Sequence, residues 1–163
     1  MIRKPFRVLL VALTLPLAAC ANPPKAADLT GTWKCGPTEM HGPGFTVTVS
    51  ETTTNNASGT FTTDTTTVIA APGKEPLTLL SRSSGTWELA GDVLRTHFKQ
   101  AEFLSASDPS VSHETGQQAQ DDQLKKKSTY ESRILGIEGG RYRSVPVNPM
   151  YKEAAVESSC ART

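Results

Sequence analysis

The sequence predicts a mainly β fold, on three observations. No helical, 3.6-residue periodicity is sustained between Thr30 and Ser105. Two segments in that span alternate in the manner of half-buried strands. In GFTVTVS, Phe45, Val47 and Val49 share one face and Thr46, Thr48 and Ser50 the other; in SGTFTTDTTTVIAA, Phe61, Thr63, Thr65, Thr67 and Ile69 fall on one side. Two glycine-bearing dipeptides, Gly91-Asp92 and Gly139-Gly140, stand between apolar runs at hairpin spacing.

Ahead of the strands, Arg3, Lys4 and Arg7 stand without any acid, followed by an apolar run from Val8 to Leu17. The run is too short to span a hydrocarbon core about 30 Å thick, so residues 1–19 read as a signal peptide. The run ends Leu17-Ala18-Ala19-Cys20. An ordinary secretory cleavage site needs small residues but no cysteine, and this ending resembles the lipobox of bacterial lipoproteins. That resemblance implies that Cys20 becomes the mature N-terminus and is lipidated, its several acyl chains anchoring the protein far more firmly than one would. Ala21 stands where an Asp is the usual inner-membrane retention signal in enterobacterial lipoproteins, which implies an outer-membrane anchor facing the periplasm. Residues 20–28, Cys20 followed by ANPPKAAD, read as the lipidated residue and a short extended tether.

The leader removes three of 17 basic residues and none of the 16 acidic ones, leaving a formal charge of −2, so no nucleic-acid partner is expected. Residues 29–163 make one domain with few aromatics and abundant Thr and Ser, enough for a modest core. With Cys20 committed to lipid, Cys35 and Cys160 are expected to form one disulfide in an oxidising periplasm. Closing so long a loop stabilises by roughly 4–5 kcal/mol on the chain-entropy estimate. A catalytic or metal-binding pair would be closer together, as in C-x-x-C.

The elements then follow in order. LTGTWKCG opens the first strand, and TTTNNASG links the two alternating segments through Asn55-Asn56 and Gly59. APGKEP is a loop by its prolines. In LTLLSRSSGTWELAGDVLRTHF the Gly91-Asp92 turn pairs Leu89 with Leu94 and Trp87 with Thr96, placing Trp87, Leu89, Leu94 and Phe98 on one face. In SRILGIEGGRYRS the Gly139-Gly140 turn sets Glu138 opposite Arg141 and Ile137 opposite Tyr142, an exposed charge pair that specifies register more than it adds energy. Between the hairpins, residues 105–129 form a polar insertion with almost no large apolar residue. It reads as a mobile solvated loop; its second half, Gln117 to Lys127, also fits a helix with acids early and Lys125, Lys126 and Lys127 late. In VNPMYKEAAVESSC, Asn148 as cap and Pro149 at the first position favour a short C-terminal helix, with an edge strand as the alternative.

Gly31-Thr32-Trp33 on the first strand and Ser84-Gly85-Thr86-Trp87 later resemble the lipocalin-like, calycin-type barrels among bacterial lipoproteins. The resemblance implies a small antiparallel up-and-down β-barrel or half-barrel in which Trp33 plugs the closed end. An arginine often stacks over that Trp, a role that falls to Arg141 or Arg143 by cation–π contact. About six strands are legible where a full lipocalin has eight. A second, weaker resemblance is to periplasmic lysozyme-inhibitor lipoproteins, through Trp33-Lys34-Cys35, Cys160, and Gly139 with Tyr142 in EGGRY. There Glu138 stands where the inhibitory loop has Ser.

No sequence signature points to catalysis. His41, His97 and His113 begin no metal-ligand spacing, and there is no G-x-S-x-G elbow, phosphate loop or C-x-x-C, so neither enzyme activity nor a cofactor or metal is expected. Two binding readings remain. The favoured one is a non-enzymatic envelope module that contacts another protein, for instance a toxin or hydrolase to be neutralised. It would do so through the insertion, with His113, Glu114, Asp121, Asp122, Lys125, Lys126 and Lys127 as contact residues. The alternative is a carrier of a small apolar ligand inside the barrel; scarce aliphatics argue for a filled core with little left to line a cavity.

Overall fold

The computed structural model describes residues 23–149 and 151–163. The signal peptide and Cys20 lie outside them. Eight antiparallel strands close into a barrel in simple up-and-down order: β1 (Gly31–Gly42), β2 (Phe45–Asn55), β3 (Thr60–Ala70), β4 (Leu77–Ala90), β5 (Val93–Ala106), β6 (Thr129–Glu138), β7 (Arg141–Pro146) and β8 (Ser158–Arg162). A single helical turn, α1 (Ala26–Leu29), precedes the barrel, and one longer helix, α2 (His113–Lys126), lies between β5 and β6. The extended tether therefore ends at Lys25 and not at Asp28, because Leu29, fully buried, draws the chain onto the barrel end.

Both hairpins have the predicted register. Leu89 faces Leu94 and Trp87 faces Thr96 across β4–β5; Ile137 faces Tyr142 and Glu138 faces Arg141 across β6–β7. The Thr-rich region is two full 11-residue strands, longer than the alternating cores alone, with Thr52 to Asn55 continuing β2 into what reads as linker. Threonine suits this wall because its branched Cβ favours strand and its hydroxyl finds a cross-strand partner, as Thr53 does with Thr63 at 2.8 Å.

The chain's end corrects the expected helix. Only Lys152–Ala154 form a 3₁₀ turn, and Ser158–Arg162 form β8, which pairs with both β7 and β1. Without β8, the neighbouring edges of β1 and β7 would carry unpaired backbone groups, and filling both outweighs a short exposed helix.

The barrel has unequal walls. β6 pairs with β5 only from Val93 to His97, and β8 pairs with β1 only from Trp33 to Cys35. One half is thus a complete eight-strand barrel, while the other half is a taller wall of β1 to β5. The apolar core fills the complete half: Leu29, Trp33, Phe61, Trp87, Ile134, Tyr142 and the Cys35–Cys160 disulfide, with Leu89, Leu94, Phe98 and Ile137 packed against them. Among the described residues no helix is long and apolar enough to cross a membrane.

Candidate functional site

The closed end is built around Trp33. Its indole N–H donates to the Leu29 carbonyl at 2.8 Å, and its ring meets Tyr142 edge-on at 4.9 Å. An arginine does stack over it, but it is Arg162, with its guanidinium 4.4 Å from the ring centroid. Arg141 and Arg143 are exposed, because alternation along β7 turns Tyr142 and Ser144 inward and leaves the arginines outside, where Arg143 pairs with Glu157. Arg162 also donates to the carbonyls of Thr30 at 2.6 Å and Asp28 at 2.7 Å, tying the last strand to the first helical turn. Gly31, at a φ of +115°, makes room for it: a Cβ there would lie 2.7 Å from the Arg162 Nη1 atom.

Cys35 and Cys160 face each other directly across β1–β8 with their Cα atoms 4.0 Å apart, and are disulfide-bonded. The bridge staples the shortest seam of the barrel. Tyr142, which the sequence matches to the tyrosine of an inhibitory loop, points inward, with its hydroxyl 3.6 Å from the Cys35 sulfur.

Beyond this core the barrel is not filled. A cavity of about 400 Å³ lies in the taller half, lined by Val49, Glu51, Thr65, Thr67, Ser81, Ser83, Thr96, Phe98, Ala101, Tyr130 and Ser132, with three side chains of α2 and Lys127 just after it. A deeper space of about 170 Å³ shares Glu51, Thr96, Phe98 and Ser132 with it and reaches Tyr142, Ser144 and the disulfide. Seven of the fifteen lining residues of the larger space carry hydroxyls, interspersed with apolar side chains, so scarce aliphatics leave a mixed hollow where a filled core was expected.

Glu51 sits where the two spaces join. Its side chain is half-buried, and desolvation by the surrounding barrel raises its carboxyl above the usual glutamate range. The carboxylate takes part in no side-chain hydrogen bond or ion pair among the described residues. Burial, and then the nearby charge of Glu51, also push the Tyr142 phenol up.

Helix α2 covers the tall half. It begins at His113, four residues before the helix the sequence allows, because Ser112 caps it by accepting from the Thr115 N–H at 3.1 Å. It docks on the stretch of β5 that β6 leaves unpaired. The Gln117 side-chain amide accepts from the Phe103 N–H and donates to the Ala101 carbonyl, both at 2.9 Å, as a neighbouring strand would. Gly116 permits the approach, since a Cβ there would lie 2.4 Å from the Phe103 ring. Gln120, with Gln123 and Leu124 three and four residues further on, then lines the cavity from one helix face, and Lys127, just past the helix end, lines it too. Lys127 donates to the Asn148 carbonyl and lies over the Tyr130 ring at 5.0 Å.

The proposed contact residues are thus divided by the helix. His113, Glu114, Asp121, Asp122, Lys125 and Lys126 are exposed, His113 while its ring also meets Phe103 edge-on at 5.8 Å, and Lys127 lines the cavity. Glu51, Gln117, Tyr130 and Arg162 were missed. Glu51 had a signal: carrying the alternation of Phe45, Val47 and Val49 two residues further places an acid on the inward face. No family model matches the chain, and neither does any curated protein.

Proposed function

We propose that this is a non-enzymatic binding protein, held to the bacterial outer membrane by lipid on Cys20 and facing the periplasm, that takes a small polar molecule into the barrel at the end covered by α2. The observation that carries this reading is the cavity of about 400 Å³, within the size range of ligand sites, into which seven hydroxyl-bearing residues and Glu51 face and which shares four lining residues with a second space. Such a wall suits a polar ligand better than the apolar one a lipocalin-like resemblance brings to mind. Buried hydroxyls offered to an apolar molecule would lose their hydrogen bonds to water without replacement. The up-and-down eight-strand order and the Trp33–Arg162 plug support kinship with lipocalin-like barrels.

Native mass spectrometry of the full chain, released gently from membranes, tests the reading. A reproducible added mass of up to a few hundred daltons on the disulfide-bonded protein is expected; a clean mass from every mild extract would overturn it. A protein partner is the second reading, favoured by the outward face of α2, where Glu114, Asp121 and Lys126 are exposed and Asp122 and Lys125 pair within the helix at 3.4 Å. It predicts that reversing these charges abolishes capture of a periplasmic partner while leaving any cavity-bound mass unchanged.

A further inference from the structure

We propose that the ligand carries a compact organic cation, an amine in its protonated form, that docks on Glu51 among the rings of Phe98, Tyr130 and Tyr142. The inference rests on the cavity-binding reading and names the chemistry of its ligand. Two charged side chains line the combined cavity, Glu51 and Lys127. Lys127 lies at the rim, its ammonium held by the Asn148 carbonyl and the Tyr130 ring. Glu51 lies at the junction of the two spaces with no partner among the described residues. An anionic ligand reaching the junction would meet that negative charge. A neutral one would find hydroxyls but would displace water from the Glu51 carboxylate without supplying a charge partner, a costly arrangement.

A cation supplies the missing partner. The surrounding aromatic set favours the same charge: Phe98 borders both spaces, Tyr130 the outer and Tyr142 the inner, and Phe61, Phe98 and Tyr130 form an edge-to-face series at 5.0 and 5.5 Å. Aromatic faces attract an ammonium most where water is excluded. Thr65, Ser83, Thr96 and Ser132 are left to receive hydroxyl or amide groups elsewhere on the ligand.

The test uses the full chain in a nonionic detergent and three probes of one shape and different charge: 2-phenylethylamine, 2-phenylethanol and phenylacetate. Binding is followed by NMR shifts of Thr65, Thr96 and Ser132. The amine is expected to bind at least about tenfold more tightly than the alcohol, with phenylacetate weakest, and Glu51→Gln is expected to remove the amine's advantage while leaving alcohol binding in place. Wild-type protein gives an independent readout should the variant fail to fold. Burial raises the carboxyl of Glu51 and pushes the Tyr142 phenol beside it further up, so amine affinity is expected to fall as pH drops and Glu51 takes up its proton. Equal binding of amine and alcohol, or a preference that survives in Glu51→Gln, overturns the inference and leaves cavity binding intact. Failure of all three probes overturns the inference as well, and the cavity reading then stands or falls on the added mass.

Discussion

At one end of the barrel Leu29 and Trp33 are fully buried, Phe61, Trp87, Ile134 and Tyr142 pack around them, and a disulfide and Arg162 close the seam. At the other end the inward side chains are Thr65, Thr67, Ser81 and Ser83 around open space, and a polar helix replaces the missing strands. Burial of apolar area contributes about 25 cal/mol per Å², whereas exchanging water for a protein hydrogen bond yields about 1 kcal/mol net. Stability therefore concentrates at the closed end, and the polar end is left free to carry binding chemistry. The same barrel can hold both because β1 to β5 run through the two halves while β6 to β8 close only one.

Removing the closed end's anchor gives the largest expected effect. Trp33→Ala deletes the central ring, its hydrogen bond to Leu29 and the platform for Arg162, and is expected to lower unfolding stability by about 3–5 kcal/mol in urea titrations. A loss below about 1 kcal/mol would mean that the core is not where the fold is held. Next comes the seam. Cys35→Ala together with Cys160→Ala is expected to cost about 2–5 kcal/mol, and hydrogen exchange should quicken first in β8 and the facing part of β1, the shortest pairings in the barrel.

Gly116→Val forces a branched side chain into the Phe103 ring and is expected to cost about 1–3 kcal/mol, the usual penalty for overpacking. Its distinguishing mark is location: amides of α2 should lose protection while those around Trp33 and Tyr142 keep theirs. Equal loss at both ends would mean that the helix is part of one cooperative core and not a cover over a separable half.

What could be read in advance follows the same division. Hairpin β4–β5 was legible to the residue because Gly91-Asp92 fixes a register that places Trp87, Leu89, Leu94 and Phe98 together. Cys35 and Cys160 were legible as a pair because, with Cys20 assigned to the leader's end, two cysteines were left and their wide spacing did not suit a C-x-x-C site. Around the cavity the usual signal is missing. α2 offers one apolar residue, Leu124, to the barrel and docks through a glycine and a side-chain amide, neither of which leaves a hydrophobic period. β8 is five residues whose strand character comes from the two edges it fills, so Arg162 gave no local hint that it, and not Arg141 or Arg143, would reach Trp33.

Glu51 gives the smallest expected change in stability, and one of opposite sign. Enclosure raises its folded-state pKa above the ordinary value of 4.5. A carboxyl raised in this way adds stability that is fully present below about pH 4.5 and is lost as pH climbs through the folded-state value, because only the folded chain resists ionising it. Glu51→Gln keeps the shape, has no charge to desolvate and removes that slope. The variant is expected to equal wild type near pH 4 and to be the more stable protein at pH 7, measured by urea unfolding at both. Ionising Glu51 thus costs the folded barrel stability, a cost that a cation docked beside the carboxylate would relieve. A variant less stable than wild type at pH 7 would mean that the carboxylate already has a partner inside the barrel, and the polar end would then be part of what holds the fold.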